Sequence, residues 1–348
     1  MKKIRIGHIG VSHDHAGPVL CCVLSHPEVF EVIGWAEENE ENYKRKIVTD
    51  PVYDTLPRMT EAELIAAHPD AILVEGNELE NLEVALRCVE NGIHVHLDKP
   101  AGADLPLFRR VLDTAKKNGV AVHLGYMSRY NNAVLYAMNR VKDGTIGEVF
   151  QVDAFMDTWH DPEKREWMRT LPGGDMFFLG CHMVDFIYMF MGKAPLAVHP
   201  FNRRSQFDGV DTVDQGFAVF DYGTSVCTAR AGSTQVNGFG RRQLVICGTK
   251  GTIEIKPLEV RVPDSKEVHS KLWISTLDMV DGDHYNDICR EVVIPSMVSR
   301  YDNMMLDFAK VVRGEIESPF NYEYEYELQR LVLEACRERG NEICPLGK

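Results

Sequence analysis

A chain of 348 residues is long enough for two domains, and 45% hydrophobic with 26% charged residues is the balance of a soluble globular protein. A net charge of −14 excludes a basic surface for nucleic acid or an anionic membrane. It does not exclude an anionic cofactor, which backbone N–H groups and a helix dipole can hold. Nine cysteines without a CxxC pair fit reduced thiols better than a disulfide framework or a zinc knuckle. Met1-Lys2-Lys3 leads directly into a strand, with no apolar leader and no run of membrane-spanning length, so a cytoplasmic protein is expected.

Residues 3–10 alternate and read as a first strand. A turn, Gly10-Val11-Ser12-His13-Asp14-His15-Ala16-Gly17, leads into a helix ending near Ser25, and 31–36 is the second strand, closed by Glu37-Glu38. Strand, tight turn, helix, strand and acid make a dinucleotide-binding unit. Its register puts Gly10, Ser12 and His15 at the three glycine points of the fingerprint. Only the first is glycine. Ser12 is small enough to pass, and His15 or His13 is free to point at phosphate or substrate. A metal reading of His13-x-His15 is disfavoured because no third ligand is visible nearby. Glu37 can take both ribose hydroxyls and would repel a 2′-phosphate, so NAD is favoured over NADP.

Residues 60–68 form a helix with a Thr60/Glu63 capping box. A strand over 70–74 ends in the loop Glu75-Gly76-Asn77-Glu78, from which Gly76 and Asn77 are expected at the cofactor. A helix over 81–91 leads to the strand 93–97, which stops at Asp98-Lys99-Pro100. A lysine at the carboxyl end of a strand in an open α/β sheet lies where such sheets bind ligands. Taken alone it would be a solvated strand-end lysine. A helix over 105–118 and a strand over 120–124 complete a parallel sheet. Beyond residue 145 strands near 148–156, 218–220, 225–231, 242–247 and 251–255 follow without crossover helices, which predicts an antiparallel sheet. A helix over 177–191 interrupts it, 258–297 has no clear pattern, and helices over 300–313 and 324–337 close the chain.

Asp98-Lys99-Pro100, with the Gly10 turn and Glu37 before it, resembles the Glu-Lys-Pro signature of the glucose–fructose oxidoreductase/inositol dehydrogenase/MocA family. Gly125-Tyr126-Met127-Ser128-Arg129-Tyr130-Asn131 is similar to that family's junction into its second domain. Gly173-Gly174 followed by Gly180-Cys181-His182 resembles its histidine-bearing helix, and Gly248-Thr249-Lys250-Gly251 its late turn. The resemblance spans essentially the whole chain. It implies an α/β protein: an N-terminal Rossmann doubly wound parallel sheet (residues 1–125, rejoined by a C-terminal helix near 322–340) and a C-terminal α+β domain with an open, mainly antiparallel sheet over 126–321. It also implies hydride transfer between NAD and a secondary alcohol of a sugar, inositol or glycoside.

By match, Lys99 holds a developing alkoxide or relays a proton, and His182 is the base. Asp98, Lys99 and Pro100 join the cofactor residues, and Tyr126, Arg129 and Asn131 the substrate pocket. Trp159 and His160, after the second domain's first strand, are expected at the substrate. Asp185 is counted with them, although it, like Asp214, also suits structural capping or pairing. The chain departs from the family at Phe178, where an aspartate is usual, at Asn81, where a histidine is common, and at His15. His13, His15 or His160 is the expected replacement for the lost polarity. The same departures leave two rival readings open: glycoside cleavage through a transient keto-sugar with recycled NAD, and a degenerate nucleotide- or sugar-binding protein. The uncovered face of the second sheet predicts a homodimer or homotetramer.

Overall fold

Short runs of apolar residues between amphipathic helices build the first half of the chain in this computed structural model, which describes residues 2–206, 208–261, 267–279 and 289–338. By contact the chain divides into two units: Met1–Tyr130 with Ser299–Gln329, and Asn131–Val298 with Arg330–Lys348. The segment that returns to the first unit therefore begins well before the helix near 322 that was expected to do so.

The first unit alternates strand and helix: β1 (Ile4–Ile9), α1 (Ala16–Leu24), β2 (Phe30–Ala36), α2 (Glu40–Thr49), β3 (Arg58–Met59), α3 (Glu61–Ala66), β4 (Ala71–Val74), α4 (Asn81–Glu90), β5 (His94–Leu97), α5 (Leu105–Asn118) and β6 (Val122–Leu124). The strands run parallel in the order β3-β2-β1-β4-β5-β6. The order reverses between β1 and β4, which opens a crevice at their carboxyl ends. Capping follows the residues. Thr60 and Glu63 form the capping box of α3. Asp104 accepts from the Leu107 N–H to start α5, and Gly119 ends it at φ 67°, where a Cβ would be strained. α2 was not foreseen; its ten residues include no stripe of strongly apolar side chains.

All of β4 is buried, and so is β5 apart from half-buried His94. Polar and apolar side chains of β5 are buried alike: His96 is as inaccessible as Val95. Sheets covered by helices on both faces bury both sets of side chains. The returning helix Asp302–Val312 sets Met305 and Phe308 against Ile4, Ile6, Val19, Val23, Ala71 and Leu73. The turn Met127–Tyr130 joins the same core.

The second unit contains α6 (Asn132–Lys142), β7 (Val149–Asp157), α7 (Pro162–Met168), a π-helical turn over Met176–Gly180, α8 (Cys181–Met191), β8 (Ala197–Pro200), β9 (Gln215–Asp221), β10 (Val226–Gly232), β11 (Gln243–Gly248), β12 (Gly251–Ile255), β13 (Val260–Arg261), β14 (Val268–His269), β15 (Leu272–Thr276) and β16 (Arg290–Val292). Eight strands form one sheet in the order β16-β15-β12-β11-β7-β10-β9-β8. It is antiparallel except between β7 and β10. The long connection carrying α7 and α8 lets those two strands run the same way, which a hairpin could not. Burial alternates along β9, β10 and β11, and α8 packs on β7 and β10. The stretch 258–297, read as patternless, holds β15, whose Leu272 and Ile274 are buried; residues 262–266 and 280–288 lie outside the described residues.

Arg129 was expected in the substrate pocket. It is instead buried within the first unit, its guanidinium paired with Glu325 through Nη1–Oε1 at 2.6 Å and Nη2–Oε2 at 3.0 Å. Phe320 and Tyr126 lie 3.9 and 4.5 Å from it as cation–π faces. A fork this fully engaged leaves little for a ligand. Arg129→Ala strands a buried carboxylate at Glu325 and is expected to cost about 3–5 kcal/mol in denaturant unfolding. An effect below about 1 kcal/mol would show that the pair does not hold the returning segment.

Candidate functional site

In the first unit the ends of β1, β4 and β5 bring four expected elements together. Gly10 follows β1 at φ +82°, and a Cβ there would stand 2.5 Å from the Gly76 backbone. Two glycines thus let the turn and the β4 loop touch. Asn81, in the place of the family's histidine, donates to the Gly76 carbonyl at 3.4 Å. Asn77 accepts from the Leu79 N–H at 2.9 Å, a local turn contact. Glu37 ends β2 and accepts from the Val11 N–H at 3.0 Å and the Asn39 N–H at 2.9 Å. The Ser12 hydroxyl oxygen is buried without a hydrogen-bond partner among the described residues. A crevice at the strand ends, a turn brought close by glycines, an unsatisfied hydroxyl and an acid after the second strand fit a dinucleotide.

Beyond this frame lies a cluster that the sequence reading found only in part. His13 is buried with Nδ1 against an Asp98 carboxylate oxygen and Nε2 3.2 Å from Glu78 Oε1. The other Asp98 oxygen lies 3.1 Å from His15 Nδ1. The two imidazoles meet edge to face, with centroids 4.5 Å apart. Burial opposes charge on His13, but the Asp98 and Glu78 carboxylates outweigh it and raise its pKa to about 10. At His15 burial prevails over Asp98 and lowers the pKa to about 3. Asp98, whose burial alone would raise it, is held well below the ordinary carboxylate range by the two histidines. Gly125 is required beside it, since a Cβ would come 2.6 Å from Asp98 Oδ1. Lys99 and Pro100 follow, both buried.

A second polar row runs deeper. His96 Nε2 lies 3.5 Å from Glu75, and His96 Nδ1 meets His123 Nδ1 at 2.9 Å, whose Nε2 meets the Tyr130 hydroxyl at 3.0 Å. Burial lowers His96 to about 4 and holds His123 well below the histidine range. Glu78, Glu75, His96 and His123 were not among the expected site residues. Their signal is present in the sequence as polar residues at strand ends and inside short apolar strands, where a polar group needs a partner.

In the second unit His182 lies in the first turn of α8, 3% exposed, with Asp185 beside it at 1%. The preceding turn is π-helical, a form that recurs at functional sites. Phe178 is in an aromatic group: Trp167 packs edge-on at 5.5 Å and His160 at 6.2 Å between centroids. His160 is thus the expected replacement that stands at Phe178, while His13 and His15 belong to the Asp98 cluster. Trp159 is 56% exposed.

The unit also contains a carboxylate group of which the sequence reading named only Asp214, as a residue suited to capping or pairing. Asp157 and Asp214 line a cavity of about 250 Å³ with Arg203, Arg230, Phe201 and Phe217. Asp214 also faces Arg165, as Asp208 does. Asp175, directly after Gly173-Gly174, is fully buried. Burial raises its pKa to about 7, with Asp157 and Asp214 adding to the shift and the Ser233 hydroxyl and Arg242 opposing it. A carboxyl raised in the folded state holds a proton that the unfolded chain has lost. Its contribution therefore falls as pH rises from about 4 to about 7, by about 1.4 kcal/mol per pH unit. Asp175→Asn is expected to flatten the profile of unfolding free energy over that window, as measured by urea titration. Parallel profiles for the two proteins would show that Asp175 ionises normally.

The match to known proteins agrees with this architecture. The model for an oxidoreductase family with an NAD-binding Rossmann fold matches residues 4–126, and that for the GFO/IDH/MocA C-terminal domain matches 134–254. The 2,7-anhydro-N-acetylneuraminate hydratase of Escherichia coli K12 is 22% identical over 224 residues, 63% of this chain and 58% of its own length. The chain spans a little over half the length of such curated relatives. A 3-ketoreductase from Actinomadura kijaniata, in complex with NADP and TDP-benzene, superposes with a TM-score of 0.74 at 18% identity, covering 95% of this chain and 96% of its own. The UDP-N-acetylglucosamine 3-dehydrogenase of Acidithiobacillus ferrooxidans gives 0.74 at 15%, over 96% and 97%. These likenesses establish a shared fold. Among the described residues no helix is long and apolar enough to cross a membrane. With its Rossmann half and its second domain both matched, the chain belongs to the GFO/IDH/MocA oxidoreductase family.

Proposed function

We propose that the protein transfers hydride between NAD and a secondary alcohol, or the matching ketone, of a sugar-like substrate. The observation that carries this reading is Lys99, buried at the carboxyl end of β5 beside the Gly10 turn's own partner Asp98. Gly10, Ser12 and Gly76 would take the pyrophosphate side of the cofactor and Glu37 the ribose. NAD, when bound, supplies the hydride acceptor. In the oxidation direction His182 accepts the hydroxyl proton while the C–H bond breaks, and the Lys99 ammonium stabilises the alkoxide as it forms. The sugar class is supported by relatives named for sugar dehydrogenation, ketoreduction and hydration.

Assayed over sugars, inositols and glycosides with NAD, His182→Ala is expected to lose about 10²- to 10⁴-fold in kcat. Lys99→Ala should lose at least as much. Both should still bind NAD in calorimetry. Full turnover in either variant would remove that residue from the chemistry.

NAD is preferred over NADP on the strength of Glu37, whose carboxylate sits at the turn. The neighbouring cation Arg58 is already paired with Glu40 at 2.7 Å and stacked 3.7 Å over Tyr43. Calorimetry should show tighter binding of NAD, and Glu37→Ser should narrow the gap. Tighter binding of NADP by the unaltered protein would overturn this assignment.

Phe178 favours one second reading, cleavage or hydration of a glycoside through a transient keto-sugar. Without the usual aspartate the histidine helix carries one proton-relay group fewer. Product formation without net NADH, from protein already carrying cofactor, would distinguish it from simple dehydrogenation.

A further inference from the structure

We propose that His13, His15 and Asp98 hold a divalent transition-metal ion, with Glu78 orienting His13 from the far side of its ring. The sequence around His13-x-His15 offers no third ligand. The fold delivers one from 83 residues away, at the end of β5. One donor atom from each of the three residues lies within 4.8 Å of the others. Donors about 2 Å from a tetrahedral ion stand roughly 3–4 Å apart, and the 3.1 Å between His15 Nδ1 and Asp98 Oδ1 is of that order.

Two further features favour an ion over a plain hydrogen-bonded cluster. The His15 backbone N–H donates to His13 Nδ1 at 3.1 Å, a contact that the ion would replace. The same nitrogen faces the Asp98 carboxylate, an acceptor. That contact needs positive charge between the two atoms, a proton when the site is empty and the ion when it is filled. Glu78 meets the opposite nitrogen, Nε2, at 3.2 Å, and both side chains are buried. A carboxylate on the second ring nitrogen is the usual companion of a metal-bound histidine. Charge balances as well: two carboxylates offset one divalent ion when both imidazoles are neutral.

Two imidazoles and one carboxylate select ions such as Zn²⁺, Co²⁺ or Fe²⁺ over Mg²⁺ and Ca²⁺, which prefer oxygen. Three protein ligands leave a position open, on the side where His15 is 13% exposed. The other three-residue donor group among the described residues, Cys22, His26 and Asp302, fits an ion poorly. Burial and Asp302 push the Cys22 thiol far up, so it keeps its proton and donates it to Asp302. The proposal does not depend on the hydride-transfer reading.

The test uses the full chain, stripped with a chelator and titrated with Co²⁺, then Zn²⁺. One Co²⁺ per chain is expected, with the visible absorption of a four- or five-coordinate ion and displacement by Zn²⁺. His15→Ala and Asp98→Asn should abolish it, and His26→Ala should leave it unchanged. Glu78→Gln should keep the stoichiometry and weaken affinity about 10- to 100-fold. Circular dichroism checks folding; if Asp98→Asn does not fold, His15→Gln and Glu78→Gln carry the comparison. Absence of Co²⁺ and Zn²⁺ binding would overturn the proposal and leave a proton between His13 and Asp98. So would binding that survives His15→Ala and Asp98→Asn, or that disappears with His26→Ala.

Discussion

A carboxylate with almost no access to water, Asp98, sits at the end of β5, and the nucleotide half of the molecule is arranged to make that tolerable. Burying an uncompensated carboxylate costs several kcal/mol. Two imidazoles turn inward to meet it. That inward turn requires the loop after β1 to run close to the β4 loop, which Gly10 and Gly76 permit, and requires no side chain at Gly125. Lys99 inherits its position from the same arrangement. It follows Asp98 in a strand end that cannot shift without breaking the carboxylate's contacts.

Local patterns predicted the local parts well. The Thr60/Glu63 capping box of α3 was readable because a cap is a short-range device. The turn after Gly10 and the strand end at Lys99 were likewise readable, since topology puts ligand sites there. What could not be read was pairing across long separations. The spacing of 196 residues between Arg129 and Glu325 hides a buried pair, and a match to a junction motif made Arg129 look like a pocket residue. Glu78 and Asp175 escaped for a related reason. Each is one acid among many until the fold removes it from water, and only burial distinguishes it from a solvated neighbour.

Phe178 shows how a departure from a family pattern is absorbed. Where an aspartate would sit, an aromatic ring packs with Trp167 and His160, and the Lys164 ammonium lies over both Phe178 and Trp167 at 4.7 and 4.0 Å. The polarity has not vanished from the unit. It reappears at Asp175, three residues earlier, in a group of acids with Asp157 and Asp214 around Ser233 and Arg242. A carboxyl raised to about 7 is half protonated near neutrality, whereas an ordinary aspartate is ionised. The helix leading to His182 therefore begins on a group able to hold a proton, although not at the expected position.

The turn itself extends the same logic to the cofactor. In a glycine-rich fingerprint the turn's N–H groups are open to phosphate because no side chain competes for them. Here the Val11 N–H donates to Glu37, the His13 N–H to the Glu75 carbonyl and the His15 N–H to the His13 ring. Three donors are thus spent within the protein, and Pro18 supplies none in the first turn of α1. A turn fixed in this way is stiff, and the Ser12 hydroxyl, without a partner among the described residues, is a polar group it keeps toward an anion. Rigidity gained from histidines and acids replaces close approach gained from glycines. The cost is a site with fewer amide donors for the pyrophosphate than the glycine-rich version offers.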